Sequence, residues 1–215
     1  MSNSENNLNY DKNKGDLLGR IILRIHYLKI NFFAFFYTAI NKAVWLIKGV
    51  KLANGIKFYG FSKAFRHPGS VISIGENCSF RSDKFSNLIG INRRCIISTH
   101  GVGASVKIGN NCGFSGVSIG CSESIIIGDS VLVGANVIIT DFDWHNVDPL
   151  RRREACTSSK PVIIEDNAFI GVNSIIWKGV TIGKNSVIGA NSVVTKSIPE
   201  NCIAAGNPAK VIRSL

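Results

Sequence analysis

The segment Asp141-Phe142-Asp143-Trp144-His145-Asn146 carries the side chains best suited to chemistry. Imidazole is the only side chain whose unperturbed pKa lies near neutrality, so His145 is a candidate general base for a reacting group that must lose a proton. Asp141 and Asp143 stand at alternate positions before it. Either carboxylate is expected to hold the ring by accepting from its second nitrogen. A solvated loop histidine between surface charges is the plain alternative, and spacing alone does not separate the two. The remaining histidines, His26, His67 and His100, show no spacing that suggests a shared metal site, and no CxxC pair is present. Neither a three-histidine zinc centre nor a structural zinc site is therefore expected, and no metal is required.

The elements that must position His145 announce themselves by a period of six. Aliphatic residues return at Ile164, Ile170, Ile176, Ile182, Ile188 and Val194, and four positions after the first five stand Ala168, Ser174, Val180, Ser186 and Ser192. Neither a helical nor a simple strand period gives this spacing. One flat side of a parallel β-helix does, with a short strand, a turn and the next strand building a triangular coil from three hexapeptides. The aliphatic residue fills the interior and the compact one fits beside the corner. Each coil buries its apolar side only by stacking on another. Earlier repeat units begin at Ile74, Ile108 and Ile127, while two arginines in IGINRRC at Ile89 imply a bulge or a looped-out turn. From Thr140 to Lys160 the period vanishes, and a polar loop of that length inside a repeat domain is usually functional or disordered.

Composition agrees with a turn-rich β protein: 45% hydrophobic, with 21 Gly and 5 Pro in 215 residues. The net charge of +11 is unevenly placed, since residues 1–66 hold 11 Lys/Arg against 3 Asp/Glu. That pattern suits a basic attachment segment on a nearly balanced domain rather than a nucleic-acid binder, and no nucleic-acid motif accompanies it. Residues 1–14 are polar and expected to fray. Residues 16–50 are apolar and basic, expected as one or two amphipathic helices. Lys29 and Lys42 bracket only 12 uncharged residues, too few for a span, and the acidic, Asn-rich leader does not suit a signal peptide. Such helices fit an anionic membrane surface; they fit equally a cap on the first coil or a contact with a neighbouring subunit. The division expected is 1–66 as the helical N-terminal segment and 67–215 as the repeat domain, with loop 140–160 inserted and a short cap at the C-terminus. Of the six cysteines, Cys78, Cys112 and Cys202 each stand four places after an aliphatic residue and read as small core fillers. Cys78, Cys95 and Cys112, each 17 residues apart, are expected along a single wall as reduced thiols, with bridging the alternative if their sulfurs face.

With the repeat, the interrupting loop with its histidine, and the ending IPENCIAAGNPAKVIR, the chain resembles the hexapeptide-repeat acyltransferases. The nearest types are the maltose, galactoside and nodulation-type O-acetyltransferases and their relatives from surface-polysaccharide clusters. The resemblance spans Ile74 to Leu215. It implies an all-β solenoid, a left-handed parallel β-helix assembled as a homotrimer, with acetyl-CoA held between neighbouring subunits. His145 would then act as base while a sugar hydroxyl attacks the thioester directly. Ser115 and Glu123 in CGFSGVSIGCSE match positions that contact the sugar, although galactoside-type enzymes carry an amide where Ser115 stands. Phe169, Ala190, Thr195, Lys196, Lys210 and Arg213 match positions beside coenzyme A. The acceptor expected is a sugar or glycan, in the cytoplasm at the inner face of the membrane. N-acetylation of an amino sugar nucleotide, serine O-acetylation and a catalytically dead scaffold are the competing readings.

Overall fold

The computed structural model describes residues 16–154 and 158–215. The polar leader 1–14 and Cys156 lie outside the described residues. From Lys51 the chain winds through six coils of three short strands. The first three coils are β1 (Lys51–Leu52), β2 (Lys57–Tyr59), β3 (Lys63–Phe65); β4 (Val71–Ile74), β5 (Ser79–Arg81), β6 (Ile96–Thr99); and β7 (Ser105–Ile108), β8 (Gly113–Ser115), β9 (Ser118–Cys121). The next three are β10 (Ser124–Ile127), β11 (Leu132–Ala135), β12 (Ile138–Thr140); β13 (Val162–Ile164), β14 (Phe169–Ile170), β15 (Ile175–Ile176); and β16 (Thr181–Ile182), β17 (Val187–Ile188), β18 (Val193–Val194). Every third strand pairs in parallel, giving three sheets that are the faces of a prism. A closing hairpin, β19 (Cys202–Gly206) and β20 (Ala209–Ser214), extends the second face, β20 running antiparallel.

Register stacks like on like. Ile74, Ile108, Ile127, Ile164 and Ile182 form the interior column of the first face, and Ile97, Ile119, Ile139, Ile176 and Val194 that of the third. All are buried, each contributing about 1.5–3 kcal/mol of apolar transfer. The small residues four places on, Ala168, Ser174, Val180, Ser186 and Ser192, are at most 1% exposed. The corners turn on asparagine. Asn77, Asn111, Asn136, Asn167, Asn173, Asn185, Asn191 and Asn201 all have φ between 54° and 62°, a left-handed conformation that Asn tolerates because its short polar side chain bonds locally. Asn167 donates to Asn185 and Asn185 to Asn201, a side-chain ladder up one edge.

The prism begins earlier than the sequence division at residue 67 implied. Strands β1, β2 and β3 pair in parallel with β4, β5 and β6, so residues 51–65 are the first coil. What precedes them is one helix, α1 (Leu17–Ile47), opened by the Asp16 carboxylate accepting from the Gly19 N–H at 2.6 Å. Its last third stoppers the prism: Trp45 is fully buried on Phe58 and Phe80, with Phe114 stacked behind at 5.0 Å. Cys95 also departs from expectation. Cys78 and Cys112 share a corner, but the 82–95 excursion lengthens the second coil, so 17 residues no longer make one turn, and Cys95 donates instead to Arg81 O beside another corner. All five described cysteines are free and buried.

Candidate active site

The loop that bears His145 leaves the prism where the third face turns back to the first, after β12. Alternation along that strand places Ile139 and Asp141 on the interior side. Asp141 is 0% exposed, and its carboxylate accepts from the Ser122, Glu123 and Ser124 N–H groups at 2.7, 2.8 and 2.7 Å and from the Cys121 thiol at 3.3 Å. Burial, together with the adjacent carboxylate, pushes the Cys121 thiol pKa well up, so it stays a donor. The returning strand closes a neck: Lys160 N donates to Asp141 O at 2.8 Å, and Phe142 bridges Ser159 in antiparallel fashion.

Beyond the neck, Asp143 is held by Lys178, whose Nζ lies 2.5 Å from Asp143 Oδ2 and 2.7 Å from Ser158 Oγ. Both side chains of that pair are 17% exposed. Trp144 lies on Gly120 so closely that an added Cβ there would stand 2.5 Å from the indole. His145 follows, exposed, at the start of the outer loop. The carboxylates of Asp141 and Asp143 are thus engaged by backbone amides and by Lys178, not by the imidazole. This corrects the expectation that one of them orients the ring: within one protomer they fix the loop that carries it. Lys178 was missed by sequence reading. The available signal was Trp177-Lys178 directly after Ile176, where most corners carry Gly after the aliphatic residue.

The other candidates fall on two separate edges of the prism. Glu123 lies at the corner between β9 and β10, its own N–H bound to Asp141. Thr195 and Lys196 follow β18 at the same edge, two coils beyond the loop root, about 10 Å at the usual interstrand spacing. All three side chains are exposed. Ser115 ends β8 on the second face, buried, its hydroxyl accepting from Asn87 at 3.1 Å. Phe169 points outward from that face, 45% exposed, in a column that runs through Val187 and Ile203 to Arg213. Lys210 is exposed on the same β20 strand, and Ala190 is exposed at the corner after β17. One chain therefore does not gather the set: His145, Glu123, Thr195 and Lys196 share one edge, while Ser115, Phe169, Ala190, Lys210 and Arg213 line the second face and its far edge.

Comparison with known proteins agrees with this architecture. Residues 161–196 match the family described as the hexapeptide repeat of succinyl-transferase. The galactoside O-acetyltransferase of Lactococcus lactis is 37% identical over 142 residues, 66% of this chain and 62% of that protein. Protein CapG of Staphylococcus aureus is 40% identical over 114 residues, 51% of this chain and 66% of that protein. Among solved structures, the N-acyltransferase AntD of Bacillus cereus superposes with a TM-score of 0.60 at 20% identity, over 80% of this chain and 88% of that one. The fold is the left-handed parallel β-helix, an exception to the right-handed rule for parallel crossovers. The chain belongs to the hexapeptide-repeat acyltransferase family. It spans 48%, 62% and 56% of the length of three of the curated relatives it matches.

Proposed function

We propose that the protein is an acetyl-CoA-dependent O-acetyltransferase that modifies a sugar hydroxyl during surface-polysaccharide assembly. The observation that carries this reading is the rooted loop: a buried carboxylate and an ion pair hold an exposed imidazole off one edge of a hexapeptide-repeat prism. Support comes from the resemblance to galactoside O-acetyltransferases and, at 36% identity over 122 residues, to the polysialic acid O-acetyltransferase of Escherichia coli O1:K1. His145 takes the proton from the acceptor hydroxyl as its oxygen attacks the thioester carbonyl. The tetrahedral intermediate then expels coenzyme A as thiolate, which is protonated to the thiol. Direct transfer requires no enzyme nucleophile.

The separation of candidates onto two edges gives the oligomer a chemical purpose. In a homotrimer the His145 edge of one chain faces the second face of its neighbour, so acetyl-CoA lies along the seam against Phe169, Ala190, Lys210 and Arg213 of one chain and Thr195 and Lys196 of the other. The cationic side chains suit the phosphates of the donor. The site lies in the cytoplasm, with α1 seated on the inner face of the membrane, where lipid-linked glycans are acetylated. The test is His145→Ala, assayed by thiol release from acetyl-CoA across a glycan panel. A fall in kcat of at least about 100-fold is expected, with the thermal midpoint unchanged because the side chain is exposed. Unchanged turnover would remove His145 as the base.

A further inference from the structure

The edge that carries His145 also carries a row of aromatic rings, and the row runs one way only. From the loop toward the first coil, Trp144 meets His100 edge-on at 5.0 Å between ring centroids, and His100 meets Phe65 at 6.2 Å. Phe142 backs the middle of the row, 4.8 Å from Trp144 and 5.2 Å from His100. Core packing does not account for the row, since Trp144 is 52% and Phe65 53% exposed. The fold is shaped to seat it. Phe65, Ser98, Gly120 and Thr140 occupy successive rungs at one outward position, with Gly120 leaving the gap in which the indole lies. Ser98 holds the His100 ring by a hydrogen bond of 2.9 Å to Nε2. Partial burial and nearby His67 lower the His100 pKa, outweighing the pull of Asp141, so the ring is neutral at pH 7 and presents a π face rather than a charge. From Phe65 to Trp144 the row crosses two rungs, about 10 Å, which exceeds a single sugar ring.

A pyranose carries its hydroxyls around the rim and C–H groups on its faces. Its faces are therefore apolar and slightly positive, the complement of the negative face of an aromatic ring. Rings in a row on a polar surface suit a chain of sugars. The candidates for coenzyme A at Thr195 and Lys196 lie on the other side of the loop, so donor and row approach His145 from opposite directions.

Resting on the acceptor class proposed above, we infer that Trp144, His100 and Phe65 form an extended acceptor subsite that binds a glycan chain along the prism axis, with the sugar stacked on Trp144 offering its hydroxyl to His145. The acceptor is then an oligosaccharide or longer, recognised over more than one residue, rather than a free monosaccharide.

The test compares acetylation of mono-, di- and trisaccharides of one repeating unit by the wild type, Phe65→Ala and Phe65→Trp, with thermal melts to verify folding. The wild type is expected to show KM falling with chain length. Phe65→Ala, remote from the reacting atoms, should raise KM for the trisaccharide about two- to tenfold and flatten the length dependence, with kcat little changed. Phe65→Trp should restore it. A length preference that survives Phe65→Ala, or that the wild type lacks, overturns the subsite while leaving the acetyltransferase reading standing. A wild type that acetylates no glycan of any length while other acceptors are turned over would overturn the acceptor class, and the subsite with it.

Discussion

A carboxylate removed from water is costly unless hydrogen bonds or a cation replace its hydration, and Asp141 meets that condition with three backbone N–H groups and a thiol from the corner one coil below. Hydrogen bonds to a charged group contribute about 1.5–3 kcal/mol each, so the loop is tied at its root more firmly than its outer residues are. Asp141→Asn keeps the size of the side chain but replaces one accepting oxygen with an amide NH2, a donor facing backbone N–H groups that need an acceptor. Unfolding stability is expected to fall by about 2–4 kcal/mol, and the Ser122–Ser124 amides should exchange with solvent faster, as hydrogen exchange resolved by residue will report. Unchanged protection there would mean that the root does not depend on the carboxylate. In the sequence, Asp141 and Asp143 looked like equivalent partners for His145. Alternation after Ile139 pointed Asp141 inward, a signal that was present and unused. The pairing of Asp143 with Lys178 spans 35 residues and joins two coils, so no local pattern contained it.

The end of a solenoid leaves a strand edge with nothing to pair against, and α1 supplies the missing partners from its last third. Thr38 Oγ1 accepts from Phe58 N at 2.9 Å, Asn41 Oδ1 accepts from Ser62 N at 2.9 Å, and Asn41 Nδ2 donates to Gly60 O at 3.1 Å. Asn41 is 3% exposed, so water cannot take its place. Asn41→Leu preserves helix propensity and approximate size while orphaning a buried donor and acceptor. A loss of about 2–4 kcal/mol is expected by chemical denaturation; a loss under about 0.5 kcal/mol would show that the first coil does not need the helix. The six-residue period made the C-terminal coils plain, yet it ran further back than it seemed. Leu52, Phe58 and Ala64 are also six apart and lie in register with Ile74, Phe80 and Ile97. Phenylalanine and alanine at interior sites disguised them, because the first coils are filled by the stacked rings of Phe58, Phe80 and Phe114 under Trp45 rather than by isoleucine alone. The asparagine corners were equally visible, recurring three places after most of the aliphatic residues, as at Asn167, Asn173, Asn185 and Asn191, and their left-handed φ supplies the physical reason.

At the scale of the whole molecule, α1 divides lengthwise between two surroundings. Residues spaced by three, four and seven, namely Arg20, Arg24, Asn31, Thr38, Asn41 and Trp45, form one stripe whose C-terminal half meets the prism. The opposite side carries Leu18, Ile22, Phe32, Phe36, Ile40 and Ile47, between 46% and 85% exposed. The helix is long and apolar enough to cross a membrane by length and composition, but its last third is committed to the prism, and Arg20, Arg24 and Lys29 interrupt the rest. An in-plane seat would satisfy both facts: the apolar side would enter the acyl boundary, the basic residues would meet anionic headgroups, and the prism would stand above. That seat would hold the first coil, and the end of the aromatic row at Phe65, nearest the membrane. Each basic residue near such a surface contributes about 1 kcal/mol. The full-length Arg20→Glu, Arg24→Glu, Lys29→Glu variant should therefore bind phosphatidylglycerol-containing vesicles about 100-fold more weakly than the wild type in a sedimentation assay, with affinity falling as salt rises. Because these side chains lie outside the buried third of the helix, the thermal midpoint should not change. Equal binding of wild type and variant, or equal binding to neutral and anionic vesicles, would reassign the apolar side to a protein contact.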